Sequence, residues 1–171
     1  MIELNEESKV YVLCPAYVKT GGTELSHQLV SELNNLNIDA HMVYYYSQRK
    51  KMKNKDMKYT PQAFEKYVKD YLEVDEIEDK KDNVIVIPEV AIHRVKKLHN
   101  IRKAVWWMSV DNYTNFIGIF KTLKNSNMKE TITRIIDGNI CKKTDFKDID
   151  YFLYQSYYSE DYFKDVKKEG Y

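Results

Sequence analysis

At 171 residues the chain has room for one domain around one hydrophobic core, and not for two. Its 27 Lys and Arg offset 26 Asp and Glu, so no net field draws a polyanion and nucleic acid is excluded as the main partner. The segment Met1 to Ser8 carries three glutamates and no apolar core, and the longest apolar runs, 84–88 and 104–110, are too short for a bilayer; a cytoplasmic protein with neither signal peptide nor membrane span is expected.

Five short apolar runs, 10–14, 40–46, 84–87, 104–108 and 151–154, predict strands buried on both faces, because none shows a clean in-out alternation. Polar breaks and helical patterns separate them. The expected fold is therefore α/β: a Rossmann-like open parallel sheet of about five strands with helices on both faces, forming one domain over 1–171. In chain order, the first strand leads to a helix over 23–36, with Leu25, Leu29, Leu33 and Leu36 at helical spacing and Gly22 or Thr23 as the cap. A second helix is predicted from Thr60-Pro61, with Phe64, Tyr67, Val68, Tyr71 and Leu72 on one stripe. Shorter helices are expected over 91–98, 115–123 and 128–136, the last stopped by Gly138, and a final one over 159–169 stopped by Gly170. The basic run 49–58 and the acidic run 73–82 read as solvated surface. For the basic run, contact with a membrane carrying a lipid-linked acceptor is the alternative.

Cys14 and Cys141 lack the spacing of a zinc site or a disulfide framework, and Cys14 is expected to be a buried strand residue. His27, His41, His93 and His99 gather no metal-binding pattern, so neither metal nor cofactor is expected. Trp106 and Trp107 point to opposite faces of one strand and should both pack under helices. Tyr157 and Tyr158, read as the start of a loop, are better placed to stack on a sugar ring.

The loop from Pro15 to Glu24 joins the first strand to the first helix, at the edge where open α/β sheets bind ligands. Gly21 and Gly22 let the backbone approach a ligand, and the helix start offers amides to a phosphate or a sugar hydroxyl. No G-x-G-x-x-G is present, and Tyr44 to Tyr46 stand where a ribose-binding acid would be; no Gly-Lys-Ser/Thr follows the glycines either. These absences disfavour a nicotinamide dehydrogenase and a P-loop ATPase.

Strand, Pro15, a short variable stretch, Gly21-Gly22-Thr23-Glu24, a leucine-bearing helix and then Ile38 to Val43 resemble the opening of GT-B glycosyltransferases. The resemblance continues through Pro88-Glu89, Ser109 to Asn112 and Gln155-Ser156, each after a predicted strand. It implies the N-terminal, acceptor-side half of a two-domain enzyme that transfers sugar from a nucleotide-sugar donor to a carbohydrate or lipid-linked acceptor in bacterial surface polysaccharide synthesis. It implies that Gly21 and Gly22 approach the donor phosphates beside Thr23 and Glu24, and that Asp111, Asn112, Glu89 and Ser156 line the acceptor side. Many relatives carry a histidine where this chain has Asp111-Asn112. Asp111 is the candidate catalytic base, and Glu89 is chemically suited to the same task. Because most of the donor site of such enzymes belongs to a C-terminal domain, the chain alone is expected to be nearly inactive. Two rival readings remain: a flavodoxin-like FMN electron carrier, whose phosphate loop 20–24 resembles, and a noncatalytic Rossmann-like interaction module.

Overall fold

The computed structural model describes residues 1–46, 57–115, 118–136 and 146–168. Six strands form one all-parallel sheet: β1 (Lys9–Pro15), β2 (Asp39–Tyr45), β3 (Tyr71–Glu73), β4 (Val84–Pro88), β5 (Arg102–Trp107) and β6 (Tyr151–Tyr154), in the spatial order β3-β2-β1-β4-β5-β6. This is the Rossmann-like order, and it reverses direction between β1 and β4. Among the described residues the α-helices are α1 (Gly21–Asn35), α2 (Val110–Asn115), α3 (Gly118–Asn125), α4 (Met128–Ile136) and α5 (Tyr157–Lys168).

Strict alternation along the strands feeds two cores. Val10, Val12, Cys14, Met42 and Tyr44 pack with Val30 of α1 on one face. On the other, Tyr11, Leu13, Ile85, Ile87 and Val105 pack with Val110 and Tyr113 of α2 and Phe163 of α5. The two tryptophans divide accordingly: Trp107 is buried against Tyr113 and Phe146, with ring centroids 5.1 and 5.7 Å away, while half-buried Trp106 joins the α1 face. Cys14 is fully buried, and desolvation pushes its thiol up to a pKa of about 12.

Several expectations are corrected. No helix spans 60–72. A single 3-10 turn at Gln62–Phe64 is followed by β3, which extends the sheet beyond the five predicted strands. The segment is rich in aromatic residues of weak helix propensity, and tertiary contacts outbid its stripe: Phe64 packs on the His27 ring, the Tyr67 hydroxyl reaches Glu24, and Tyr71 to Glu73 pair with β2. The predicted helix over 91–98 is one 3-10 turn, Ile92–Val95, and just beyond it Asp79 holds the amides of His99, Asn100 and Ile101. That over 115–123 becomes α2 and α3, and α5 begins at Tyr157, so Tyr157 and Tyr158 stand in a helix rather than a loop. The acidic run 73–82 is tied into structure: Glu73 accepts from Tyr46 and Tyr59, and Glu78 pairs with Lys9 and Lys80. Most of the basic run, 49–56, and Cys141, Gly138 and Gly170 lie outside the described residues.

The first helix turns a different face to the sheet from the one its leucines suggest. Thr23, Ser26, His27 and Val30 are buried; Leu25, Leu29 and Leu33 are half-buried at the flank, and Leu36 is exposed. Its cap is Thr20, not Gly22 or Thr23: the Thr20 hydroxyl accepts from the Thr23 amide and the Thr23 hydroxyl accepts from the Thr20 amide at 2.9 Å. Asn37, at φ 61°, ends it in a Schellman motif, its amide bonded to Asn34 O and that of Ile38 to Leu33 O. Thr20→Ala is expected to lower stability by about 1 kcal/mol, measured by urea denaturation; a change within error would show that the cap does not hold the turn.

Candidate functional site

A cleft of about 660 Å³ opens at the C-terminal edge of the sheet, lined by the turn after β1, the first turns of α1, and the residues that follow β4, β5 and β6. It lies where the strand order reverses, the crevice in which open α/β sheets hold ligands. Gly21, Gly22, Thr23, Glu24 and Glu89 all line it, so the glycine turn and the later strand ends share one rim.

The glycine turn is built by its neighbours. Tyr17 adopts φ 63°, a left-handed conformation costly for a bulky residue, and is held there by its amide bonded to Tyr59 O at 3.0 Å and by edge-on packing of the two rings. The chain then reaches Thr20 and starts α1. The first amides of a helix have no carbonyl four residues back; Thr20 supplies acceptors to Thr23 and Glu24, leaving those of Gly21 and Gly22 at the cleft. A β-carbon on Gly22 would come within 3.3 Å of Met108 Sδ, whereas one on Gly21 would meet nothing within 4 Å. Gly22 is thus the position at which the α1 turn approaches the β5 end. Thr23 lines the cleft, but its hydroxyl is engaged by the turn, within 3.1 Å of Thr20 N, Val18 O and Thr20 O.

Across the cleft stands Glu89, only 3% exposed. Burial raises its pKa above the usual carboxylate value, against the opposing pull of backbone amides of Met108, Glu89 itself and Ser109. The Met108 amide donates to its Oε2 at 3.2 Å. Met108 therefore links both walls, its backbone on Glu89 and its sulfur against Gly22. On the α1 wall, the Tyr67 hydroxyl donates to Glu24 Oε1 and accepts from Gln28, both at 3.1 Å, which fixes two polar side chains at the cleft.

Asp111 and Ser156 do not reach the lining. α2 begins at Val110, directly after β5, so exposed Asp111 stands in its first turn with Asn112 following, and Ser109 lines the cleft instead. Ser156 shares reciprocal bonds with Ser159 and caps α5, which leaves Gln155 as the cleft residue. Reading the sequence also passed over Thr20, Gln28, Tyr45 and Met108. Of these only Thr20 carried a usable signal, a hydroxyl three residues before another at a helix start.

Among the described residues no group of three or more His, Cys, Asp and Glu is placed to hold a metal, and no helix is long and apolar enough to cross a membrane. The chain matches no family model, no curated protein and no solved structure.

Proposed function

We propose that this chain is the N-terminal, acceptor-side domain of a two-domain GT-B glycosyltransferase, acting in the cytoplasm on surface polysaccharide precursors. The observation that supports this best is the pairing, in one switch-point cleft, of a glycine-led helix start with a buried carboxylate. The amides of Gly21 and Gly22, together with the positive end of the α1 dipole, suit the diphosphate of a nucleotide-sugar. Glu89 faces the same space with a raised pKa, the property wanted in a base that works near neutrality. In the transfer, the acceptor hydroxyl gives its proton to Glu89 as its oxygen bonds to the anomeric carbon. The nucleoside diphosphate leaves with the electron pair of the broken C–O bond. The base therefore moves from Asp111 to Glu89, while Glu24 and Gln28 hold acceptor hydroxyls.

The test is a donor screen on the protein expressed from its whole reading frame, with sugar transfer followed by release of nucleoside diphosphate. Transfer is expected with one donor. Gly22→Leu, which fills the cleft against Met108, should reduce it by about a hundredfold or more. A yellow protein absorbing in the flavin bands would establish the electron-carrier reading instead. Absence of transfer with every donor, together with a reading frame lacking a second βαβ domain, would favour an interaction module.

A further inference from the structure

Between β5 and β6 the chain forms a pair of helices that is inside out for a globular protein. Helices α3 and α4 meet through hydroxyls: Thr122 and Thr131 are buried, Ser126 Oγ lies 2.9 Å from Thr131 Oγ1, and Ser126 also donates to Thr122 O at 2.8 Å. Their apolar side chains face water. Phe120 is 89% exposed and Met128 72%, and Ile119, Leu123, Ile132 and Ile135 are exposed as well. The spacing gathers these residues into one stripe per helix, 119, 120 and 123 on α3 and 128, 132 and 135 on α4. A surface helix ordinarily keeps such a stripe against the core, and exposed apolar patches of this kind mark contact surfaces.

Charge identifies what covers it. The segment 118–136 carries Lys121, Lys124, Lys129 and Arg134 against the single acid Glu130, in a chain that is otherwise nearly balanced. Arg134 engages Glu130 at 3.0 Å, and the segment as a whole keeps an excess of three positive charges, four cations against one acid. A second copy of the chain would set these cations against one another. Apolar residues on one side, with exposed Lys124 and Lys129 beside them, form the pattern of helices that lie in the plane of a bilayer interface.

We infer that α3 and α4 dock this protein on an anionic lipid surface, their apolar stripes entering the headgroup–acyl boundary and Lys124 and Lys129 meeting lipid phosphates. The inference rests on this helix pair alone and does not depend on the transferase reading.

Co-sedimentation with vesicles tests it. The chain should bind vesicles of equal parts phosphatidylglycerol and phosphatidylcholine, and should bind pure phosphatidylcholine roughly tenfold more weakly. The double substitution Phe120→Asp with Ile132→Asp should reduce binding to the anionic vesicles by about tenfold or more, with an unchanged far-UV spectrum because both side chains are exposed. Three results would overturn the inference: no binding to anionic vesicles, equal binding by the double variant, or a solution dimer, seen by light scattering, that the same two substitutions disperse.

Discussion

Glu89→Gln is expected to stabilise the fold at neutral pH by on the order of 1 kcal/mol and, on the transferase reading, to lower the rate of sugar transfer by two to four orders of magnitude, roughly the worth of a positioned base. The two effects have one cause. Glu89 is 3% exposed and burial raises its pKa, so the folded chain binds its proton more tightly than the unfolded chain does. Such a group contributes its stability below the unfolded carboxylate range, and that contribution is lost as pH rises through the folded pKa. Glutamine keeps an oxygen to accept from the Met108 and Ser109 amides but never ionises, so it escapes the loss. Urea titrations of parent and variant should therefore agree near pH 4 and diverge in favour of the variant towards pH 7. A variant that is less stable at pH 7, or that transfers sugar at the parental rate, removes Glu89 from the chemistry.

Little in the sequence singled out this carboxylate. Pro88-Glu89 and Val110-Asp111 look alike on paper, an acid just past a buried strand. What separates them is where the next element starts. After β5 a helix begins at once and carries Asp111 to the surface; after β4 a short turn, closed by the Ala91 amide on Pro88 O, keeps Glu89 beneath the Met108 and Ser109 amides. The strands were legible because burial on both faces leaves uninterrupted apolar runs, and only β3, three residues long at the sheet edge, escaped that reading. Helix α1 was legible as a helix and misread in its orientation. A leucine repeat suggests the buried stripe, yet β2 presents Tyr44 to this helix, and a buried phenol needs a polar partner. His27 provides it, so the helix turns until its small and polar residues face the sheet and its leucines move to the flank.

That same demand makes His27 the side chain whose loss should most damage stability. It is 0% exposed, with Nδ1 2.6 Å from Thr23 O and Nε2 2.6 Å from the Tyr44 hydroxyl, which in turn lies 2.9 Å from Thr60 Oγ1. Desolvation lowers its pKa below the ordinary histidine value of 6.5, against weaker pulls upward from the Thr23 carbonyl and Glu24. With the ring neutral, Nδ1 donates to Thr23 O, and Nε2 is the ring nitrogen that meets the Tyr44 hydroxyl. His27→Ala removes both partners, opens a cavity beside Phe64, and should cost about 3 kcal/mol, a fall of roughly 6–12 °C in Tm for a chain of this size. The pH dependence has the opposite sign to that of Glu89. A histidine whose folded pKa is depressed contributes fully above 6.5, and its contribution falls away as pH drops below that value. The gap between parent and His27→Ala should therefore be widest above pH 7 and should narrow towards pH 5.5. Tyr44→Phe separates packing from hydrogen bonding, since it keeps the ring and leaves Nε2 and Thr60 without the hydroxyl between them, at an expected cost of about 1–3 kcal/mol. Thermal melts of the three proteins across this range check the assignment. A gap that widens on acidification would mean that the buried ring is charged, and the neutral His27–Tyr44 bond would have to be abandoned.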